Sequence, residues 1–92
     1  MKRYYTVTQK HIDKSDYFDS AKNPLALAIR EILHRPVYIS PTTMSNGSDG
    51  DYDTSSGRIV SFKLSKNAKK FNERFYQYKK VNPITFSIET LE

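Results

Sequence analysis

An α+β domain is what the sequence predicts, on three observations. Four stretches, 3–8, 37–40, 57–64 and 84–89, alternate apolar and polar residues with the period of two of a strand that buries one face. Two others, 24–34 and 65–80, repeat their apolar residues at helical spacing. Between them lie runs of Ser, Asn, Asp, Gly and Pro, the residues that turns select. A chain of 92 residues is read as one domain, 1–92, and folding at that size buries only roughly 60–65% of the unfolded surface, so the core is small.

The elements follow in order. Arg3–Thr8 places Tyr5 and Val7 toward the core and Tyr4 and Thr6 outward. Thr8 then caps a short helical turn through His11 and Ile12, with Ile12 tucked beneath the strand. The run 13–22 has no period and reads as a loop anchored by Tyr17 and Phe18. Asn23-Pro24 starts a helix, since Asn caps free N–H groups and proline's fixed φ suits the first helical position. Leu25, Ala28, Ile29, Ile32 and Leu33 form its buried stripe; His34-Arg35 suit its negative end and Pro36 stops it. Val37-Tyr38-Ile39-Ser40 is a strand with Tyr38 outward.

Residues 41–56 are mostly Thr, Ser, Asn, Gly and Asp, with Asn46-Gly47 and Asp49-Gly50 as turn dipeptides, and read as a mobile polar loop or a long, mobile hairpin tip. Gly57–Leu64 resumes as a strand with Val60, Phe62 and Leu64 inward and Ile59, Ser61 and Lys63 outward. The second helix, Ser65 to Lys80, buries Ala68, Phe71, Phe75 and Tyr78, with Ser65 as its cap. Lys66, Lys69, Lys70, Glu73, Gln77 and Lys80 gather on the opposite side, with Arg74 at its flank. Ile84–Glu89 has the cleanest alternation in the chain. The order β-α-β-β-α-β matches the ferredoxin-like split βαβ arrangement, an antiparallel sheet with both helices on one face and a long loop between its second and third strands. A differently connected α+β sheet is the alternative.

Composition bounds the function. Fifteen Lys and Arg against ten Asp and Glu give a net charge of +5, which favours phosphate backbones or acidic protein surfaces and equally serves solubility. No cysteine is present, so disulfides, thiolate metal sites and cysteine nucleophiles are excluded and a cytoplasmic setting is expected. The longest apolar run, Pro24 to Ile29, is far short of the roughly 20 residues that span a bilayer, and Met1-Lys2-Arg3 leads into Tyr4-Tyr5-Thr6 rather than a signal sequence.

Motifs for catalysis are missing. Asp49-Gly50-Asp51-Tyr52-Asp53 has carboxylates at alternate positions, but Thr54 and Val60 stand where a calcium loop needs glycine and a bidentate Glu, so it reads as a solvated acidic turn. His11 and His34 lack a partner at ligand or general-base spacing. No phosphate-cradling glycine loop, HExxH motif or nucleophile elbow appears, so no enzyme activity, cofactor or metal is expected.

Two binding readings remain. Tyr4, Tyr38, Ile59 and Lys63 lie on the sheet's open face if the strand phases hold, a surface suited to a protein partner or to a second copy of the chain. Alternatively, Lys66, Lys69, Lys70, Arg74 and Lys80 contact nucleic-acid phosphates, although an RNA-recognition strand presents outward aromatics where this one has Ile59, Ser61 and Lys63.

The segment Val7-Thr8-Gln9-Lys10-His11-Ile12, followed by Asn23-Pro24-Leu25-Ala26-Leu27-Ala28-Ile29 and later by Phe62-Lys63-Leu64 and Lys70-Phe71, resembles small uncharacterised bacteriophage proteins. In those, a strand leads through a Thr-x-x-His-Ile turn to a Pro-begun, Ala/Leu-rich helix. They often have glycine after His-Ile and cysteine before the proline, where this chain has Ser15 and Asn23. The resemblance implies a phage accessory protein in the host cytoplasm that binds a host protein stoichiometrically, with inhibition of a host defence system as one expected role.

Overall fold

A computed structural model describes residues 2–16, 19–41 and 47–91. Five strands and three helices occur among them: β1 (Lys2–Val7), α1 (Gln9–Asp13), a 3₁₀ turn (Ser20–Lys22), α2 (Pro24–Leu33), β2 (Val37–Ile39), β3 (Gly50–Asp53), β4 (Ile59–Leu64), α3 (Lys66–Tyr76) and β5 (Ile84–Thr90). The strands form one sheet in the order β1-β5-β4-β3-β2, every neighbouring pair antiparallel. The α+β class stands, whereas strand count and order differ from the expected ferredoxin-like, four-stranded arrangement.

The difference starts within 41–56, expected to be loop throughout. Gly50–Asp53 is a strand between β2 and β4, with Tyr52 turned inward and stacked on Phe62 at 6.1 Å between ring centroids. Asp49-Gly50 is therefore the start of a strand, where glycine answers close packing rather than a turn. A Cβ at Gly50 would lie 2.5 Å from the Tyr38 carbonyl oxygen and 2.8 Å from the Phe62 ring. With β3 inserted, β2, β3 and β4 form a meander, and β1 pairs with β5 at the far edge. Residues 42–46, and the expected anchors Tyr17 and Phe18, lie outside the described residues.

The expected strand phases hold: Tyr5, Val7, Val37, Ile39, Val60, Phe62 and Leu64 are buried, and Tyr4, Thr6, Tyr38, Ile59 and Lys63 are exposed. The inward face meets α2 and α3. Helix α2 packs against both edge strands, β1 and β2, so the sheet curls around it, while α3 covers β4 and β5. Phe62, Phe75, Phe86, Leu25 and Ile29 form the centre of the resulting core.

Both helices end earlier, or face differently, than their periodicity predicts. Asn23 caps α2 as expected, its side chain accepting the Leu25 N–H at 2.8 Å with Pro24 at the first position. Ala26 joins the buried stripe, but Ile32 is 64% exposed because α2's last turn runs out to the left-handed His34. His34 is thus the capping residue beyond the last turn, its N–H bonded to the Arg30 carbonyl. Helix α3 stops at Tyr76, so Lys79 and Lys80 lie outside it. Tyr78 has φ 59°, and bonds from Lys79 N–H to Arg74 O and from Tyr78 N–H to Phe75 O close a Schellman motif. Tyr78, expected in the buried stripe, is 65% exposed, and Asn72 is buried in its place. Ser65 occupies the N-cap position without a side-chain cap bond; its hydroxyl donates to Asn67 Oδ1 and accepts the Ser87 N–H.

One consequence of topology shapes the surface. Since β4 and β5 are antiparallel neighbours, the chain leaving α3 must travel back along the helix before β5 begins. One bond holds that return segment, Arg74 Nη2 to the Lys80 carbonyl at 3.2 Å, and a second, Asn67 Nδ2 to the Thr85 carbonyl at 2.8 Å, holds the start of β5 where the segment ends. The segment and the helix are the two walls of a groove.

Candidate functional site

Register places the four residues expected on the sheet surface on one face. Tyr4 opposes Ser87, Glu89 opposes Lys63, Ser61 opposes Asp51, and Asp51 opposes Tyr38, so β-strand alternation carries Tyr4, Ile59, Lys63 and Tyr38 to the side away from α2 and α3. Tyr4 is 69% exposed, Ile59 62% and Tyr38 41%. They are spread across the face. Tyr4 and Tyr38 stand on opposite edge strands, four spacings of about 4.8 Å apart along the sheet, with Ile59 and Lys63 between them.

Between these side chains the face is small and polar. Thr6 and Thr85 share a hydroxyl–hydroxyl bond of 3.1 Å, Ser61 and Ser87 are recessed, and Lys63 sits across from Glu89. Asp51 and Asp53, the residues expected in a solvated acidic turn, project from β3 onto the same face. Burial pushes the Asp51 carboxyl up from its ordinary value, and the neighbouring Asp53 charge adds to the effect. Their negative charge opposes phosphate on this face.

Asp49, the third carboxylate of that motif, is buried instead. Its Oδ2 accepts the Leu64 N–H at 2.9 Å and lies 3.8 Å from Lys69 Nζ. A cleft of about 300 Å³ opens there, lined by Ser40, Asp49, Lys69, Asn72 and Glu73 together with Pro41 and Leu64. Sequence reasoning had no signal for this burial, because a Ser-Asp-Gly tripeptide is ordinarily a turn.

The five cations expected to form one basic face are divided by the fold. Lys69 turns to Asp49. Lys66 borders a separate cleft with Lys63, Ser65 and Glu89 at the end of β4 and β5. Lys70, Arg74 and Lys80 converge on the groove between α3 and its return segment, with a volume of about 290 Å³. Phe71, Val81 and Ile84 floor it. Lys80 belongs to this set by tertiary return, although it lies outside the helix.

His11 is committed at both ring nitrogens. Nδ1 accepts the Thr8 backbone N–H at 3.0 Å, which closes the first turn of α1 and leaves the proton on Nε2, shared with Glu31 of α2. That bond, and next the charge interaction with His11, lower the Glu31 carboxyl below its ordinary value. A ring held this way pins α1 to α2 and has no free nitrogen with which to take a proton from a ligand. His34 borders the same surface, an open depression with Lys10, Lys14 and Arg30 around it.

Among the described residues no group of three or more His, Asp or Glu is placed to hold a metal ion, and no helix is long and apolar enough to cross a membrane. No protein-family model matches the chain, and neither a curated protein nor a solved structure does.

Proposed function

We propose that the protein is a non-enzymatic binding module that attaches stoichiometrically to a partner protein through the open face of its sheet. One observation carries this reading: Tyr4, Ile59 and Tyr38 stand exposed on a face that neither α2 nor α3 covers, set among small hydroxyl residues. Aromatic and aliphatic side chains leave apolar area in contact with water there, and a partner that covers them gains roughly 25 cal/mol for each Å² of apolar surface removed. Asp51 and Asp53 make a protein a better occupant of this face than a nucleic acid, since two carboxylates repel phosphate and favour a partner's Lys or Arg. On the resemblance to bacteriophage proteins, the partner is a host protein, with defence components the class to screen first.

The test is affinity capture from host lysate with wild-type protein and Ile59→Asp as parallel baits, after thermal melts show both folded. Ile59 is exposed, so the substitution leaves the core intact. A protein retained in equimolar amount by the wild type and lost by Ile59→Asp is the expected result. Equal retention by both baits, or no stoichiometric partner, refutes the assignment to this face. Light scattering of the free protein covers the remaining occupant: a dimer abolished by Ile59→Asp would give the face to a second copy.

A further inference from the structure

The groove between α3 and its return segment lies on the helical side of the molecule, away from the sheet face, and has a composition of its own. Lys70, Arg74 and Lys80 stand around it, and no carboxylate lines it. Neither lysine forms a salt bridge among the described residues, and Arg74 spends one donor on the Lys80 carbonyl. Three cations left without counter-charges at one place repel one another, a cost that an anionic ligand removes.

The floor narrows the ligand class. Val81 and Ile84 are half-buried and aliphatic, and Phe71 is 5% exposed, so no aromatic face is presented for a base to stack upon. Sequence-tolerant nucleic-acid grooves pair their cations with such stacking platforms. An aliphatic floor instead accepts the side chain of an apolar residue. Asn82 stands at the rim with its amide uncommitted among the described residues, able to donate to and accept from a peptide backbone.

We infer that this groove binds an acidic peptide segment anchored by an apolar side chain: the apolar residue covers Val81 and Ile84, and flanking carboxylates pair with Lys70, Arg74 and Lys80. The site is independent of the sheet face, and its failure would leave the reading of that face untouched.

Fluorescence anisotropy tests the inference with three probes: a labelled peptide carrying glutamates on both sides of a Leu-Phe pair, the same peptide with Ser-Ser in place of that pair, and an oligo(dT) of equal net charge. The Leu-Phe peptide is expected to bind at least about tenfold more tightly than the other two, and Lys70→Glu to weaken it about tenfold or more. Lys66→Glu makes the same change of charge outside the groove and is expected to leave binding nearly intact. The inference is overturned if Lys66→Glu weakens binding as much as Lys70→Glu, if the Ser-Ser peptide binds as well, or if oligo(dT) binds more tightly than the peptide. Absence of binding by all three probes at low salt overturns it equally.

Discussion

Asp51 carries a carboxyl that the fold makes costly to ionise. Its folded-state pKa is raised, first by burial and then by Asp53, so the charged form is penalised in the native state and unpenalised in the unfolded chain. The penalty is present above the folded pKa and vanishes as pH falls below the ordinary value of 3.8, where both states are protonated. Asp51→Asn is therefore expected to raise stability at pH 7, with the gain disappearing below pH 3.8, as urea titrations at the two pH values would read. Glu31 has the opposite sign: lowered by its bond to His11, it stabilises the fold above its ordinary value of 4.5, and that stability is lost as pH falls through the folded pKa. Tyr5 shows a third situation. Burial pushes its hydroxyl above the ordinary value of 10.0, with the neighbouring Arg3 acting against that rise, while its ring packs 5.9 Å from Phe86.

At the scale of the element, α3 shows how a helix is ended by a residue poorly suited to ending it. The Schellman motif needs a left-handed residue after the last turn, a conformation that crowds Cβ and costs a non-glycine roughly 1–2 kcal/mol. Tyr78 adopts it, and with 65% of its surface exposed it recovers little by burial. Tyr78→Gly is expected to be about 1 kcal/mol more stable than Tyr78→Ala, a difference of several degrees in Tm for a domain of this size, because both remove the ring and its contacts and only glycine escapes the Cβ crowding. Equal Tm values for the two variants would refute backbone strain at this turn. The same motif turns the chain so that Lys80 comes back to Arg74, and the groove exists because the helix stops where it does.

Across the whole molecule, one buried amide ties the layers together. Asn72 of α3 accepts from the Asn23 amide at 2.7 Å, at the start of α2, and donates to the Ser40 carbonyl at 2.9 Å, at the end of β2. Asn23 and Asn72 are both buried, so Asn72→Ala strands the Asn23 amide donor away from water, while the half-buried Ser40 carbonyl borders the cleft. A loss of about 1–3 kcal/mol is expected by chemical denaturation, the cost of orphaning one buried polar group. The charges are arranged on the same scale. Lys70, Arg74 and Lys80 gather on the helical side, and Asp51 and Asp53 on the sheet side, so the net charge of +5 hides two surfaces of different character.

Features that depend on near neighbours along the chain were legible from the residues alone. Period-two alternation sorted Tyr5 from Tyr4, Val37 and Ile39 from Tyr38, and Val60, Phe62 and Leu64 from Ile59 and Lys63, because successive side chains of a strand must point oppositely. Asn23-Pro24 marked a helix start because capping is satisfied within a few residues. Tertiary structure alone decided which strands became neighbours, since alternation says that a face is buried and not what buries it. It alone made a strand of Gly50–Asp53, whose Gly and Asp are turn formers until Phe62 and Tyr38 close around Gly50. Asp49 went inside because the Leu64 N–H and Lys69 meet it from positions 15 and 20 residues on. Ile32 stayed outside in the last turn of α2, and Tyr78 because α3 stops at Tyr76 and the left-handed turn takes Tyr78 out of the helical stripe. The groove followed from antiparallel pairing of β4 with β5, which sends the chain back along α3 and sets Lys80 beside cations it does not share a helix with.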